Sequence, residues 1–118
     1  MTEKILAHRH CNPDGSIGGW VYDSAEVDPT TWVDESAWVH EGARISANSV
    51  IEAEAVIGPY VLIGEVVVVG QGARIATETR IRPKAVIGEF ADIRENVVIG
   101  ESVRVPSGAF VEAFGEFY

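Results

Sequence analysis

The chain has one cysteine, one methionine and only nine basic residues against 18 acidic ones in 118 positions. A lone Cys11 cannot close an internal disulfide, so stability has to come from packing, as suits a reducing compartment. A net charge of -9 argues against a protein that tracks nucleic acid, because such binding rests on neutralising phosphates. It leaves room for a small anionic ligand held by a local cluster of arginines. Long apolar runs are missing too. Val66–Val69 is the longest aliphatic stretch, far short of the roughly 20 residues that a membrane-spanning helix needs. The first residues carry Glu3 and Lys4 and lead into His8, Arg9 and His10, so no signal-peptide core is visible and the expected address is cytoplasmic. The length suits one domain and is too short for two.

Abundant instead are isoleucine and valine in strict order. From Val21 to Val111, sixteen consecutive positions spaced six apart are all Ile or Val, without one insertion. Two residues before each lies a small or β-branched residue, among them Gly19, Ala25, Thr31, Ala37, Ala43, Ser49 and Ala55. In an extended strand residues i and i-2 face the same way, so each hexad sends one large and one small side chain inward. The residues that follow the aliphatic include Asp28-Pro29, Gly58-Pro59, Gly64, Gly70, Arg82-Pro83, Gly88 and Pro106-Ser107. They predict a corner after each short strand, with glycine and proline supplying positive or fixed φ. A period of six fits no helix, and the β-branched content opposes one.

Three hexads make a triangular coil of 18 residues, so the fold expected is an all-β parallel solenoid of about five coils. The expected divisions are an N-terminal cap over 1–18, the repeat over 19–111 and an aromatic C-terminal cap over 112–118. The first cap should hold a short strand around Lys4–Ala7 and an Asn-Pro-Asp-Gly turn. At the other end Phe110, Phe114, Phe117 and Tyr118 should close the bore, because stacked strands must not leave open edges.

Outward side chains recur every 18 residues as ladders. Trp32, Val50, Val68 and Val86, ending at Arg104, form the most apolar one, and such a stripe marks a contact surface. Closed cyclic symmetry would bury it between identical subunits. A second ladder reads Trp20, Trp38, Val56, Arg74, Asp92, Phe110. At the next corner stand Tyr22, His40, Gly58, Ala76 and Arg94. An imidazole beside Tyr22, Trp20 and Trp38 suits either a general base or a ring-stacking ligand site. Arg74 and Arg94 are candidate holders of phosphate or carboxylate groups, since the guanidinium fork matches both. His8, His10 and Cys11 offer zinc-type donors close together, but a fourth ligand is wanting and no metal is expected. The Thr-x-Thr spacing occurs only at Thr77-Glu78-Thr79, too little for an ice-binding array.

The pattern aliphatic-Gly-x-x-small-x, as in Ile57-Gly58-Pro59-Tyr60-Val61-Leu62 and Ile87-Gly88-Glu89-Phe90-Ala91-Asp92, resembles the hexapeptide-repeat superfamily. The opening Gly18-Gly19-Trp20-Val21, with Ala37-Trp38-Val39 and Ala43-Arg44-Ile45, is similar to small bacterial and phage-encoded members, many without assigned activity. The resemblance implies a left-handed β-helix and a homotrimer. Acyltransferases of the superfamily place a catalytic histidine on or near a loop that interrupts the repeat, and here the register is unbroken. The leading expectation is therefore a non-enzymatic homotrimeric module, rigid, without cofactor, holding any ligand at subunit clefts. The alternative is a minimal acyltransferase with His40 as general base and acyl-CoA as substrate.

Overall fold

In the computed structural model, residues 6–118 are described. Two strands form a hairpin at the start, β1 (Ala7–Cys11) and β2 (Ile17–Tyr22). Two-residue strands then follow at every sixth position: β3 (Glu26–Val27), β4 (Trp32–Val33), β5 (Trp38–Val39), β6 (Arg44–Ile45), β7 (Val50–Ile51), β8 (Val56–Ile57), β9 (Leu62–Ile63) and β10 (Val68–Val69). The series continues with β11 (Arg74–Ile75), β12 (Arg80–Ile81), β13 (Val86–Ile87), β14 (Asp92–Ile93), β15 (Val98–Ile99), β16 (Arg104–Val105), β17 (Phe110–Val111) and β18 (Glu116–Phe117). No helix occurs among the described residues, so none is long and apolar enough to cross a membrane.

From β2 to β15 each strand pairs in parallel with the strand three places on, which puts residues 18 apart side by side, as in Trp38 with Val56 and Arg74 with Asp92. Three sheets result: a long one in the order β1-β2-β5-β8-β11-β14-β17, a five-stranded one of β16-β13-β10-β7-β4 and a six-stranded one of β18-β15-β12-β9-β6-β3. The chain is thus an all-β solenoid of about five coils. Ile51, Ile57, Ile63, Ile75, Ile87 and Ile93 fill the bore with the small residues between them, and the core is continuous from Val21 to Val105. Thr31, Ser49 and Thr79 are buried at small positions, where each hydroxyl donates to a carbonyl 15 residues later and accepts an amide 18 later.

The corners differ from the sequence expectation. From Val39 on, left-handed backbone falls three residues after each large aliphatic, at Asn48, Glu54, Tyr60, Val66, Glu78, Lys84, Phe90, Asn96, Ser102 and Phe114, with glycine only at Gly42, Gly72 and Gly108. Such a conformation costs an L-residue about 1–2 kcal/mol. It is offset here by a hydrogen bond from the strained residue's amide to the coil below, as in Tyr60 N–H to Glu41 O (3.0 Å) and Phe90 N–H to Gln71 O (2.8 Å). The glycines right after the aliphatics serve a different purpose, close stacking of coils. A Cβ on Gly58 would come within 2.7 Å of Ile75 O, and one on Gly88 within 2.4 Å of Ser107 N.

At the N-terminal end the described strand is Ala7–Cys11, and the strand expected around Lys4–Ala7 falls in part on residues 4–5, outside the described residues. β1 runs antiparallel to β2 and covers the long sheet's edge. The Asn-Pro-Asp-Gly turn then swings Asn12 beneath the five-stranded sheet. Its Oδ1 accepts the Val33 amide at 2.8 Å and its Nδ2 donates to Val33 O at 3.1 Å. His10 Nε2 meets Thr31 O at 2.7 Å, which requires the proton on Nε2 because a carbonyl can only accept. Two side chains thus replace the absent coil below.

The aromatic closure expected at the other end is not seen. Phe110, Phe114 and Tyr118 are exposed, because Phe110 occupies the outward register and Phe114 a corner. Phe117 falls on the inward register six beyond Val111, and β18 extends the parallel pairing to it, but it too is exposed at the open end.

Candidate functional site

The long sheet brings the sequence-selected aromatics together. Trp20 and Trp38 are outward rungs of paired strands, and their rings stack with centroids 5.9 Å apart and planes 25° from parallel. Two residues further along the chain, Tyr22 and His40 form the adjacent column, 5.1 Å apart. His40 in turn lies 6.3 Å from Trp38 at 27°. The four rings make a two-by-two shelf, held by a register that leaves each side chain one direction to point.

Above the shelf the same two columns become small. Val56 follows Trp38, and Gly58 and Ala76 follow His40. The columns then end in cations, Arg74 in one and Arg94 in the other. A cleft of about 320 Å³ results, with His40, Val56, Gly58, Arg74, Asp92 and Arg94 on its walls. Arg94 Nη1 lies 3.8 Å from Asp92 Oδ2, and its guanidinium stands 5.9 Å from the Phe110 ring. Arg74 has no ion pair among the described residues. His40 Nδ1 is 4.0 Å from Glu41 Oε1, beyond hydrogen-bond length.

All six selected residues, Trp20, Tyr22, Trp38, His40, Arg74 and Arg94, therefore share one surface. Arg9 was not among them. Its guanidinium lies 4.5 Å over the Trp20 ring and donates to Gly18 O and Glu35 O. No periodicity reaches Arg9, and only the hairpin places it there. Val56, Gly58 and Ala76 were also missed as site-formers, although the 18-residue arithmetic contained them.

A larger cleft of about 730 Å³ runs along the six-stranded sheet between Glu26, Arg44, Tyr60, Glu78, Arg80 and Asn96. It holds no imidazole, and Arg44 and Glu26 face each other there at 3.9 Å, so chemistry favours the smaller cleft. The expected contact ladder, Trp32, Val50, Val68 and Val86, lies in register on the five-stranded sheet, with each residue half-buried. His8 and His10 turn to separate partners, Asp23 Oδ1 at 2.7 Å and Thr31 O, while Cys11 is exposed. No metal-type cluster forms among the described residues.

No family model matches the sequence, and no curated protein matches it. Solved structures do. PerB from Caulobacter crescentus, in complex with CoA and GDP-perosamine, superposes with a TM-score of 0.63 at 22% identity, over 83% of this chain and 50% of that one. A histidine-to-asparagine variant of perosamine N-acetyltransferase from the same organism, with the same two ligands, gives 0.63 at 22% identity over 81% and 49%. A histidine-to-alanine variant gives 0.56 at 23% over 76% and 50%. The chain spans about half the length of these structures. With the repeat, the parallel sheets and this likeness together, the fold is that of the hexapeptide-repeat β-helix.

Proposed function

We propose that the chain carries a CoA-dependent acyltransferase site, with His40 as general base and the cleft above it as the seat of the acyl donor. The observation that carries this reading is the placement of one imidazole, on an aromatic shelf, in a cleft whose walls also carry Arg74 and Arg94. Likeness to N-acetyltransferases with CoA bound favours it over a purely structural module. Because the register has no inserted loop, the site is built from the ladder itself.

The chemistry follows from the geometry. Glu41 lies near Nδ1, and Nε2 has no protein partner among the described residues. An acceptor amine or hydroxyl gives its proton to Nε2 while attacking the thioester carbonyl. The C–S bond then breaks, and the thiolate leaves with the proton returned by the imidazolium. Arg74 and Arg94 supply the forked donors that match the donor's phosphates. A homotrimer formed through Trp32, Val50, Val68 and Val86 would use the five-stranded sheet and leave the cleft, on the long sheet, open to its substrates.

The test is thiol release from acetyl-CoA in the presence of amino-sugar acceptors, with acetyl-CoA binding followed calorimetrically. His40→Ala should lower turnover by about 10²–10⁴-fold with donor binding kept, and Arg74→Ala with Arg94→Ala should weaken the donor. Absence of any acetyl-CoA binding, or turnover indifferent to His40→Ala, sinks the enzymatic reading.

A further inference from the structure

The Trp20–Trp38 stack is closed on one side and open on the other. Arg9 lies over Trp20 at 4.5 Å, and Trp38 is packed on Trp20 but 38% exposed. Along the same ladder the next rung is the short Val56, and the one after it is Arg74. Rungs are about 4.8 Å apart, so Trp38 and Arg74 start about 10 Å apart. One flat ring inserted between them makes two contacts of about 3.5–4 Å each and fills about 7–8 Å. There is room for one ring and not for two.

We infer that this slot binds a nucleobase, flat against the Trp38 indole, capped by the Arg74 guanidinium and resting on Val56. The molecule already contains the arrangement in miniature, since Arg9 caps Trp20 on the opposite end of the same stack. A bound base would complete the series cation, indole, indole, base, cation. Both stacking and cation–π attraction act on it. Gly58 and Ala76 keep the adjoining column low, so a sugar and phosphate attached to the base can turn toward Arg94. The ligand class is a purine or pyrimidine nucleotide, whether it is part of an acyl donor or of a nucleotide-activated acceptor. This deepens the proposed function by naming what the cleft recognises, and it does not depend on catalysis at His40.

The experiment is calorimetric titration of the full chain with AMP, GMP, UMP, inorganic phosphate and methyl glucoside. Nucleotides should bind and outcompete phosphate alone, with methyl glucoside inert. AMP ahead of GMP and UMP points to the donor's adenine, and the reverse order to an acceptor nucleotide. Val56→Phe fills the slot and should weaken AMP roughly five- to hundredfold, the range that one base stack supplies. Leu62→Phe, the equivalent change on the six-stranded sheet, should leave it unchanged. Trp38→Leu should weaken AMP similarly, and Trp38→Phe should retain it, which separates stacking from misfolding. Nucleotide affinity equal to that of phosphate, or unaltered by both Val56→Phe and Trp38→Leu, overturns the slot. That result together with His40-dependent acyl transfer would leave the enzyme reading standing, whereas nucleotide binding without transfer would remove the enzyme and keep the slot.

Discussion

Replacing Asn12 by alanine should loosen the first coil from below. Asn12 is 3% exposed and its side chain bonds both backbone groups of Val33, which is itself fully buried. Alanine would leave that donor and acceptor without these bonds, at about 1–3 kcal/mol for each. Water can reach the end of a solenoid more easily than its middle, so a total of about 2–4 kcal/mol is expected. Solenoid coils contact only their neighbours, and the loss can appear as fraying of one coil rather than global unfolding. Native-state hydrogen exchange is therefore the sharper assay. The Val33 amide should exchange roughly 30- to 1,000-fold faster, given a factor of ten per 1.4 kcal/mol, while amides in β10 to β13 change little. Cys11→Ser, an exposed neighbour, serves as the control. Unchanged protection of Val33 in Asn12→Ala would show that the side chain does not stand in for a missing coil.

Other outcomes follow from the same register. Ile63→Asp would place an unpaired charge in the bore, where Ile63 is 2% exposed, and should abolish the cooperative melt seen by circular dichroism, whereas Glu65→Lys at a corner should leave it unchanged. Val68→Arg on the apolar ladder should reduce the mass measured by light scattering to that of a monomer, and an unaltered mass counts against that face as the trimer contact. The Asp28 carboxyl is held below its ordinary value chiefly by the Thr30 hydroxyl, at 2.6 Å, and also by the Thr30 amide. A depressed folded value means that its stabilisation is present above the ordinary carboxylate range and is lost as pH falls through the folded value. Thr30→Ala should raise the Asp28 titration midpoint in carbon-detected NMR, and an unmoved midpoint would exclude the hydroxyl as the cause.

Much of this molecule was legible because its side-chain neighbours are set by arithmetic. With an unbroken period, residues 18 apart must touch, so the pairing of Trp20 with Trp38 and of Tyr22 with His40 needed no structure. The same arithmetic assigned Phe110 to an outward rung, and the expectation that it would help close the bore neglected it. The corners were less legible. Glycine after the aliphatic reads as a left-handed residue, yet Gly58 is there because the coil above leaves no space for a Cβ. The left-handed position falls on Tyr60, Val66 and Phe90, residues that composition alone would never select. What permits them is the amide bond to the coil below, a tertiary contact. The aromatic corners also depend on that coil, since the Tyr60 ring lies where a Cβ on Gly42 would stand and the Phe90 ring does the same at Gly72.

A perfect repeat also limits where a site can be made. Inserted loops normally supply cavities, and without one the only way to open space on a flat sheet is to shorten side chains in a run. The column Tyr22, His40, Gly58, Ala76, Arg94 does this: two rings, two near-absent side chains, then a cation. Its neighbour Trp20, Trp38, Val56, Arg74 repeats the sequence one rung tighter. Neither column is required by the bore, whose packing is indifferent to what points outward. The apolar ladder differs, with Val50, Val68 and Val86 level with one another and half-buried. The gap between Trp38 and Arg74 is therefore best understood as a subtraction from an otherwise complete wall, and filling it with Val56→Phe tests the site without touching any residue that would perform the chemistry.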